Sequence, residues 1–305
     1  VSKSKHTPQK ISSISDLHRT LGLPKPLHPL ISLIDNSEIA IRHDLMPDSF
    51  LFDFYKISYK KSVEGKRMGY GQGYYDFDEG GLVFTAPHQV LAITQEGEYY
   101  GFNLCFHPDF IRNYPLAANI KRYGFFSYDA NEALHLSDKE KTTVFSVFEN
   151  IKEELNNRID DFSQDVMIAH IEVLLNYSNR FYKRQFITRK AVNHDLLTNM
   201  EQLLSNYFDK EEGLNKGLPT VEYLAGELHL SARYLSDMLR SLTGQNAQQH
   251  IHEKLIEKAK EYLTTTSLSV AEVAYQLGFE HPQSFNKLFK RKTNHTPIAF
   301  KESFN

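Results

Sequence analysis

The chain has 305 residues, 41% of them hydrophobic and 24% charged, with a formal net charge of -3. That length accommodates two domains, and that balance excludes a collagen-like, disordered or membrane-spanning chain. Taken alone, the negative sum argues against a nucleic-acid binder. Apolar runs such as LVF and VLAI fall far short of the ~18–20 residues a bilayer needs. The opening residues VSKSKHTPQKISS are basic without an apolar core, so no signal peptide is expected. A single cysteine cannot form an intramolecular disulfide, which points to a reducing, cytoplasmic setting.

The first predicted element is a short helix, Ser15 to Leu21, stopped by Gly22 and then Pro24 and Pro26. From about 48 to 107 the character changes to runs of four to eight residues rich in Phe, Tyr, Ile and Val. Breaks such as EGK, DEGG and QEGE separate them, the pattern of consecutive antiparallel strands in a sandwich or small barrel. Ser137 opens SDKE, a capping box with Glu140. The helix behind it aligns Val144, Val147, Phe148, Ile151 and Leu155. A second helix, about Ser163 to Arg184, carries Val166, Ile168, Ile171, Leu174, Leu175 and Phe181. Such a pair packs as an antiparallel hairpin, whose remaining apolar surface either covers the sheet or serves a second subunit. From His194 onward only helices are predicted. The polar segment 209–218 reads equally as a linker or as a loop inside the helical region, after a stripe of Leu196, Leu197, Met200, Leu203, Leu204 and Phe208.

The last 86 residues contain an internal repeat. Thr220–Leu230, TVEYLAGELHL, matches Ser269–Phe279, SVAEVAYQLGF, at an offset of 49. After the turn the offset becomes 50, pairing Leu235 with Phe285, Met238 with Leu288, Leu239 with Phe289 and Thr243 with Thr293. Each copy reads as a helix with a small alanine at its crossing point, a tight turn and a second amphipathic helix, the helix-turn-helix arrangement. With the apolar positions inward, Arg233, Ser236, Asp237 and Arg240 face outward in the first copy. Gln283, Asn286, Lys287 and Lys290 do so in the second.

The stretch SVAEVAYQLGFEHPQSFNKLFKRKTNHTP resembles the C-terminal signature of the AraC/XylS transcription regulators, over Thr220 to about Lys301. The family's linking helix fits GQNAQQHIHEKLIEKAKEYL, with Ile251, Ile256, Ala259 and Leu263 apolar. Asn294 replaces the usual glycine before the terminal Thr-Pro, which a left-handed residue there tolerates. Ala247 stands where proline is common, and Leu255 where arginine often is. The resemblance implies a sequence-specific regulator of double-stranded DNA with two recognition helices entering successive major-groove segments. Base-reading positions then fall on Arg233, Ser236, Asp237, Gln283, Asn286 and Lys287, and phosphate contacts on Arg240, Lys290 and Arg291. Of these Asp237 is the odd one, since a carboxylate near phosphate is repelled.

Other candidate sites carry less. GYGQG at Gly69–Gly73 lacks phosphate-loop spacing and reads as a hairpin. His88 and His107 are too separated for a metal-bearing cupin site, and the His250–His252 pair lies on the linking helix. Cys105 is expected to be a core residue. No nucleophile motif is present, so no enzymatic activity, cofactor or metal is expected. The fold class is α+β, and with the resemblance it implies an N-terminal cupin-like β-barrel sensor over 1–135, a helical dimerisation hairpin over 136–190, and an all-α DNA-binding domain with two helix-turn-helix motifs over 191–305. The resemblance further implies a homodimer, a possible small-molecule effector and, for an activator, RNA polymerase as partner. Control by a protein partner, and a cupin-type enzyme with a DNA-binding appendage, stay open as alternatives. The charge objection then weakens. From Glu201 onward 12 Lys and Arg face 13 Asp and Glu, yet His281–Lys292 contains Lys287, Lys290, Arg291 and Lys292 and no acid. Phosphate responds to charge where it sits, not to the chain's sum.

Overall fold

Gln9–Ile11 forms a first strand, β1. Ser13 then caps α1 (Ile14–Thr20) by accepting from the Asp16 amide at 3.0 Å. The structure, a computed structural model, describes residues 8–38, 49–62, 68–70, 73–75, 80–92, 99–158, 160–188 and 190–304. Contacts divide the chain into two units, Val1–Gln185 and Phe186–Asn305.

In the first unit the aromatic-rich runs form β2 (Ile31–Asp35), β3 (Ser49–Phe52), β4 (Tyr55–Ser62), β5 (Met68–Tyr70), β6 (Gly73–Tyr75), β7 (Gly81–Thr85), β8 (Val90–Ala92), β9 (Tyr99–Tyr100), β10 (Phe102–Phe106) and β11 (Leu134–His135). A six-stranded sheet has the order β11-β7-β4-β10-β2, with β9 also on β4, and its neighbours are antiparallel. A three-stranded sheet, β1-β3-β8, pairs β1 parallel to β3, and β5 and β6 form a hairpin.

The expected closed barrel is therefore corrected: among the described residues the strands make open sheets. The physical reason lies at two corners. Asp53 and Phe54 redirect the chain from β3 to β4, and Ala86–Gln89 from β7 to β8, so consecutive strands enter different ladders. Ile11, Ile14, Leu17, Ile34, Phe50, Phe52, Phe54 and Cys105 form a shared core between those ladders and α1. The alternation of a half-buried strand puts Tyr55, Ile57 and Tyr59 on the opposite face of β4. There Tyr55 stacks on Phe106 and meets Phe126 edge-on, while Tyr59 meets Phe145 edge-on.

Two short helices, α2 (Pro108–Ile111) and α3 (Pro115–Asn119), precede the hairpin of α4 (Asp138–Asn156) and α5 (Ser163–Thr188). Ser137 and Glu140 form the expected capping box, and all five predicted α4 core residues are buried. In α5 Val166 instead lies on the exposed flank. Arg184 ties the end of α5 to the start of α4. Its Nε and Nη2 donate to the Glu140 carboxylate at 3.0 and 2.8 Å, and Nη2 also donates to the His135 carbonyl at 2.7 Å. Arg184→Ala is expected to destabilise the first unit by ~1–3 kcal/mol, the range for hydrogen bonds to charged groups. Denaturant unfolding with an unchanged midpoint would contradict this.

The second unit contains α6 (Lys190–Asp209), α7 (Gly213–Lys216), α8 (Val221–Glu227), α9 (Ala232–Thr243), α10 (Ala247–Thr265), α11 (Val270–Gln276), α12 (Pro282–Thr293) and α13 (Pro297–Glu302). The segment 209–218 belongs to its packing rather than forming a free linker. The Tyr207 hydroxyl donates to the Gly217 carbonyl at 3.0 Å, and Gly213 and Gly217 lie against Leu277 and Gly278. Tyr207 and Phe208 join a core with Leu255, Ile256, Ala259, Leu263, Val273, Ala274, Leu277 and the α12 aromatics. The long helix α10 touches α6, α8, α9, α11 and α13, and so joins the two repeats. Among the described residues no helix is long and apolar enough to cross a membrane.

Candidate nucleic-acid interface

The repeat is visible atom by atom. Leu228, His229 and Leu230 donate to Leu224, Gly226 and Ala225, and Leu277, Gly278 and Phe279 donate to Val273, Tyr275 and Ala274, the same three bonds 49 residues later. Both short helices have 7 residues and both long ones 12. Ser231 is the N-cap of α9 and His281 that of α12, so the inserted residue is Glu280. The left-handed turn residue is His229 at φ 57° in the first copy and Gly278 at φ 96° in the second. The first value lies inside the left-handed region open to side chains, whereas the second lies beyond it.

The ends repeat too. Gly244 closes α9 at φ 81° and Asn294 closes α12 at φ 63°, the conformation expected of that replacement. Thr243 and Thr293 each donate to a carbonyl four residues back and one two residues ahead.

With the cores so defined, Leu235, Met238 and Leu239 are buried on α9, as are Phe285, Leu288 and Phe289 on α12. The predicted site residues occupy the opposite faces. Arg233 and Arg240 are exposed on α9, with Ser236 and Asp237 half-buried between them. Gln283, Asn286, Lys287, Lys290 and Arg291 are all exposed on α12.

The two faces differ electrostatically. On α9 the Asp237 carboxylate accepts from Arg233 Nε at 3.0 Å and from Arg240 Nη1 at 3.1 Å. On α12 no carboxylate among the described residues forms an ion pair with Lys287, Lys290, Arg291 or Lys292. Lys292 was not assigned a role from sequence, although its place in an acid-free run marked it. The acids of α10 are engaged elsewhere: Glu257 pairs with Lys254, Glu261 with Lys258, and Glu253 accepts from Gln245.

His252 reports on this basic edge. Burial first, and then the charges of Lys292 and Arg291, hold its pKa below the ordinary histidine value. The Gln248 amide donating to its Nε2 at 3.0 Å suits the neutral ring. A depressed histidine means that below pH ~6.5 the unfolded chain takes up a proton the folded one resists. Stability contributed by the neutral ring is full above that pH and is lost as pH falls toward the folded value. Unfolding free energy measured from pH 7.5 down to 5.5 should fall more for the wild type than for His252→Gln; parallel curves would contradict this.

The remaining candidates resolve differently. His88 lies 3.1 Å from Asp53, and His107 caps α2 through Nδ1. His250 contacts the Thr243 hydroxyl. Among the described residues no group of three or more His, Cys, Asp or Glu is arranged to hold a metal. Cys105 is fully buried, and burial pushes its thiol up to about 12. Of the GYGQG stretch, Gly69 and Tyr70 lie in β5 and Gly73 in β6, which pair as a hairpin, while Gly71 and Gln72, and Phe77 further on, lie outside the described residues.

Comparison with known proteins converges on the same segment. A family model described as a helix-turn-helix domain matches residues 224–303. An uncharacterized HTH-type transcriptional regulator in the cgkA 5' region of Pseudoalteromonas carrageenovora is 32% identical over 114 residues, 37% of this chain and 63% of that protein. An uncharacterized HTH-type transcriptional regulator of Bacillus subtilis, YfiF, is 23% identical over 257 residues, 82% of this chain and 77% of that one. The HTH-type transcriptional activator RhaS of Salmonella paratyphi B is 28% identical over 144 residues, 47% of this chain and 49% of that one. The alignment thus spans less than two thirds of the first and third of these relatives. The second unit carries a helix-turn-helix domain of the class found in transcription regulators. Residues 224–303 thus carry the resemblance to the AraC/XylS regulators.

Proposed function

We propose that this chain is a sequence-specific regulator of transcription, not an enzyme, acting on double-stranded DNA in the cytoplasm. In this reading α8–α9 and α11–α12 are two helix-turn-helix motifs. The observation that carries it is the repeat: two equal helix pairs, each with its apolar face buried and a row of hydrogen-bonding or cationic side chains turned out. Inserted into successive major-groove segments ~34 Å apart, α9 would read bases through Arg233 and Ser236 and α12 through Gln283, Asn286 and Lys287. Arg and Lys suit guanine O6 and N7, and Gln or Asn suits adenine. Arg240, Lys290 and Arg291 flank those positions and serve as phosphate contacts, which set register. Lys287→Ala should cost roughly 1–3 kcal/mol at its preferred base pair and relax specificity there. A uniform loss across all site variants in a binding assay would count against base reading by Lys287.

The N-terminal sheets, over 1–135, are proposed as the sensor, and the hairpin over 136–190 as the dimerisation element. A pocket of about 210 Å³ in the first unit, lined by Leu23, Lys25, Leu27, Lys152 and Leu155, supports a small effector. Exposed Phe162, Val166, Val173 and Tyr177 on and before α5 support a homodimer. Regulation then requires that the effector bind two arrangements of the dimer with different affinity. The family's commoner output, activation, would add RNA polymerase as a partner. Sedimentation of Val173→Asp against wild type tests the homodimer, which this reading expects the substitution to dissociate.

A further inference from the structure

The outward stripe of α9 contains an acid where that of α12 has a lysine, because Asp237 corresponds to Lys287 at the 50-residue offset. Helical spacing puts residues three and four apart side by side, so Asp237 meets Arg233 on one side and Arg240 on the other. The Asp237 side chain is 17% exposed, against 47% and 53% for the two arginines. The carboxylate therefore lies beneath the guanidinium groups rather than at the contact surface. That placement does not suit an acid reading a base edge directly.

We propose that Asp237 is a positioning residue for sequence discrimination, fixing the guanidinium of Arg233 by its Nε edge so that the terminal amino pair is presented to a guanine. This rests on the base reading proposed above. An arginine has five N–H donors in a rigid planar fork. Engaging Nε leaves both terminal nitrogens free to donate together, the geometry that O6 and N7 of guanine accept. Arg240 is held instead through Nη1, which leaves its Nε and Nη2 edge open for a phosphate. A side chain ordered before binding loses less rotamer freedom on contact. The same carboxylate lowers the attraction of α9 for backbone phosphate. Its stripe carries two arginines against one aspartate, while the α12 run carries four cations and no acid. Non-specific affinity therefore resides mainly in α12, while α9 contributes mainly to discrimination.

The test is enrichment of a random duplex library by the full-length wild type, Asp237→Asn, Arg233→Ala and Arg233→Lys, with competition binding and thermal melting of each. Arg233→Ala should erase preference at one or two adjacent base pairs. Asp237→Asn should flatten those same positions by about tenfold, leave the α12 positions unchanged and bind a scrambled duplex more tightly. Arg233→Lys, which keeps charge and a donor but loses the planar fork, should retain only part of the preference that Arg233→Ala erases. If Asp237→Asn keeps the preference that Arg233→Ala loses, the positioning role is wrong. It is equally wrong if Asp237→Asn flattens a position that Arg233→Ala leaves intact, because Asp237 would then read a base itself. Loss at every position together with a lowered melting temperature would mark a merely structural role and overturn it too. A wild type that enriches no sequence would instead overturn the underlying base reading.

Discussion

Gly278→Ala is expected to destabilise the second helix pair by ~2–5 kcal/mol, from left-handed backbone strain and overpacking together. The φ of +96° leaves the region alanine tolerates, and a Cβ there would stand 2.4 Å from the Gly217 carbonyl oxygen and 2.6 Å from its carbon. Both are backbone atoms, so no side chain can swing aside; the 209–218 loop itself would have to move. Gly244→Ala supplies the contrast. It also has a positive φ, of +81°, but its Cβ would find nothing within 4 Å, so only strain of ~1 kcal/mol is expected. Gly244→Asn should cost less still, because Asn294 already occupies the equivalent position at φ 63°. Calorimetry of the full chain ranks the three. Equal losses for Gly278→Ala and Gly244→Ala would show that the close approach of the 217 and 278 backbones does not matter to folding.

Removing two cations from α12, as in Lys290→Ala with Arg291→Ala, should reduce the salt dependence of DNA binding by a slope of roughly 2. Both side chains are exposed, so the fold should survive. Between 50 and 200 mM salt the wild type should lose about tenfold more affinity than the double variant, and relative preference among sequences should change little. Fluorescence titrations at several salt concentrations measure this. An unchanged slope would place the phosphate contacts elsewhere. The net charge of the region, 12 basic against 13 acidic residues from Glu201 onward, gives no hint of such dependence. The acids of α10 already bind their own lysines or Gln245, and the four cations of α12 are without ion pairs among the described residues.

Much of the second unit was legible because its signals are local. Leu235, Met238 and Leu239 recur at helical spacing, and the same spacing fifty residues later identifies Phe285, Leu288 and Phe289; all six are buried. The left-handed Asn294 was legible from the glycine that the resembling family has there and from asparagine's tolerance of that conformation, and the capping box at Ser137 from four consecutive letters. What escaped depends on contacts between distant residues. Alternating aromatics in β3 and β4 indicate strands, but whether their ladders close is decided at the Asp53–Phe54 and Ala86–Gln89 corners, and they do not close among the described residues. The role of 209–218 stayed open because contacts to residues distant in sequence, such as Gly213 against Leu277 and Gly217 against Gly278, tie that loop into the unit. Asp237 was identifiable as an outward acid. Its two arginine partners follow from spacing, but its depth beneath them does not.

The central claim is that α9 and α12 read two neighbouring segments of one duplex. Base-by-base protection of an enriched duplex by the full-length protein tests it most directly. Two protected major-groove segments centred about 10–10.5 base pairs apart, each weakened separately by Arg233→Ala and Lys287→Ala, are the expected result. A single protected segment, or both segments weakened alike by either substitution, would contradict it.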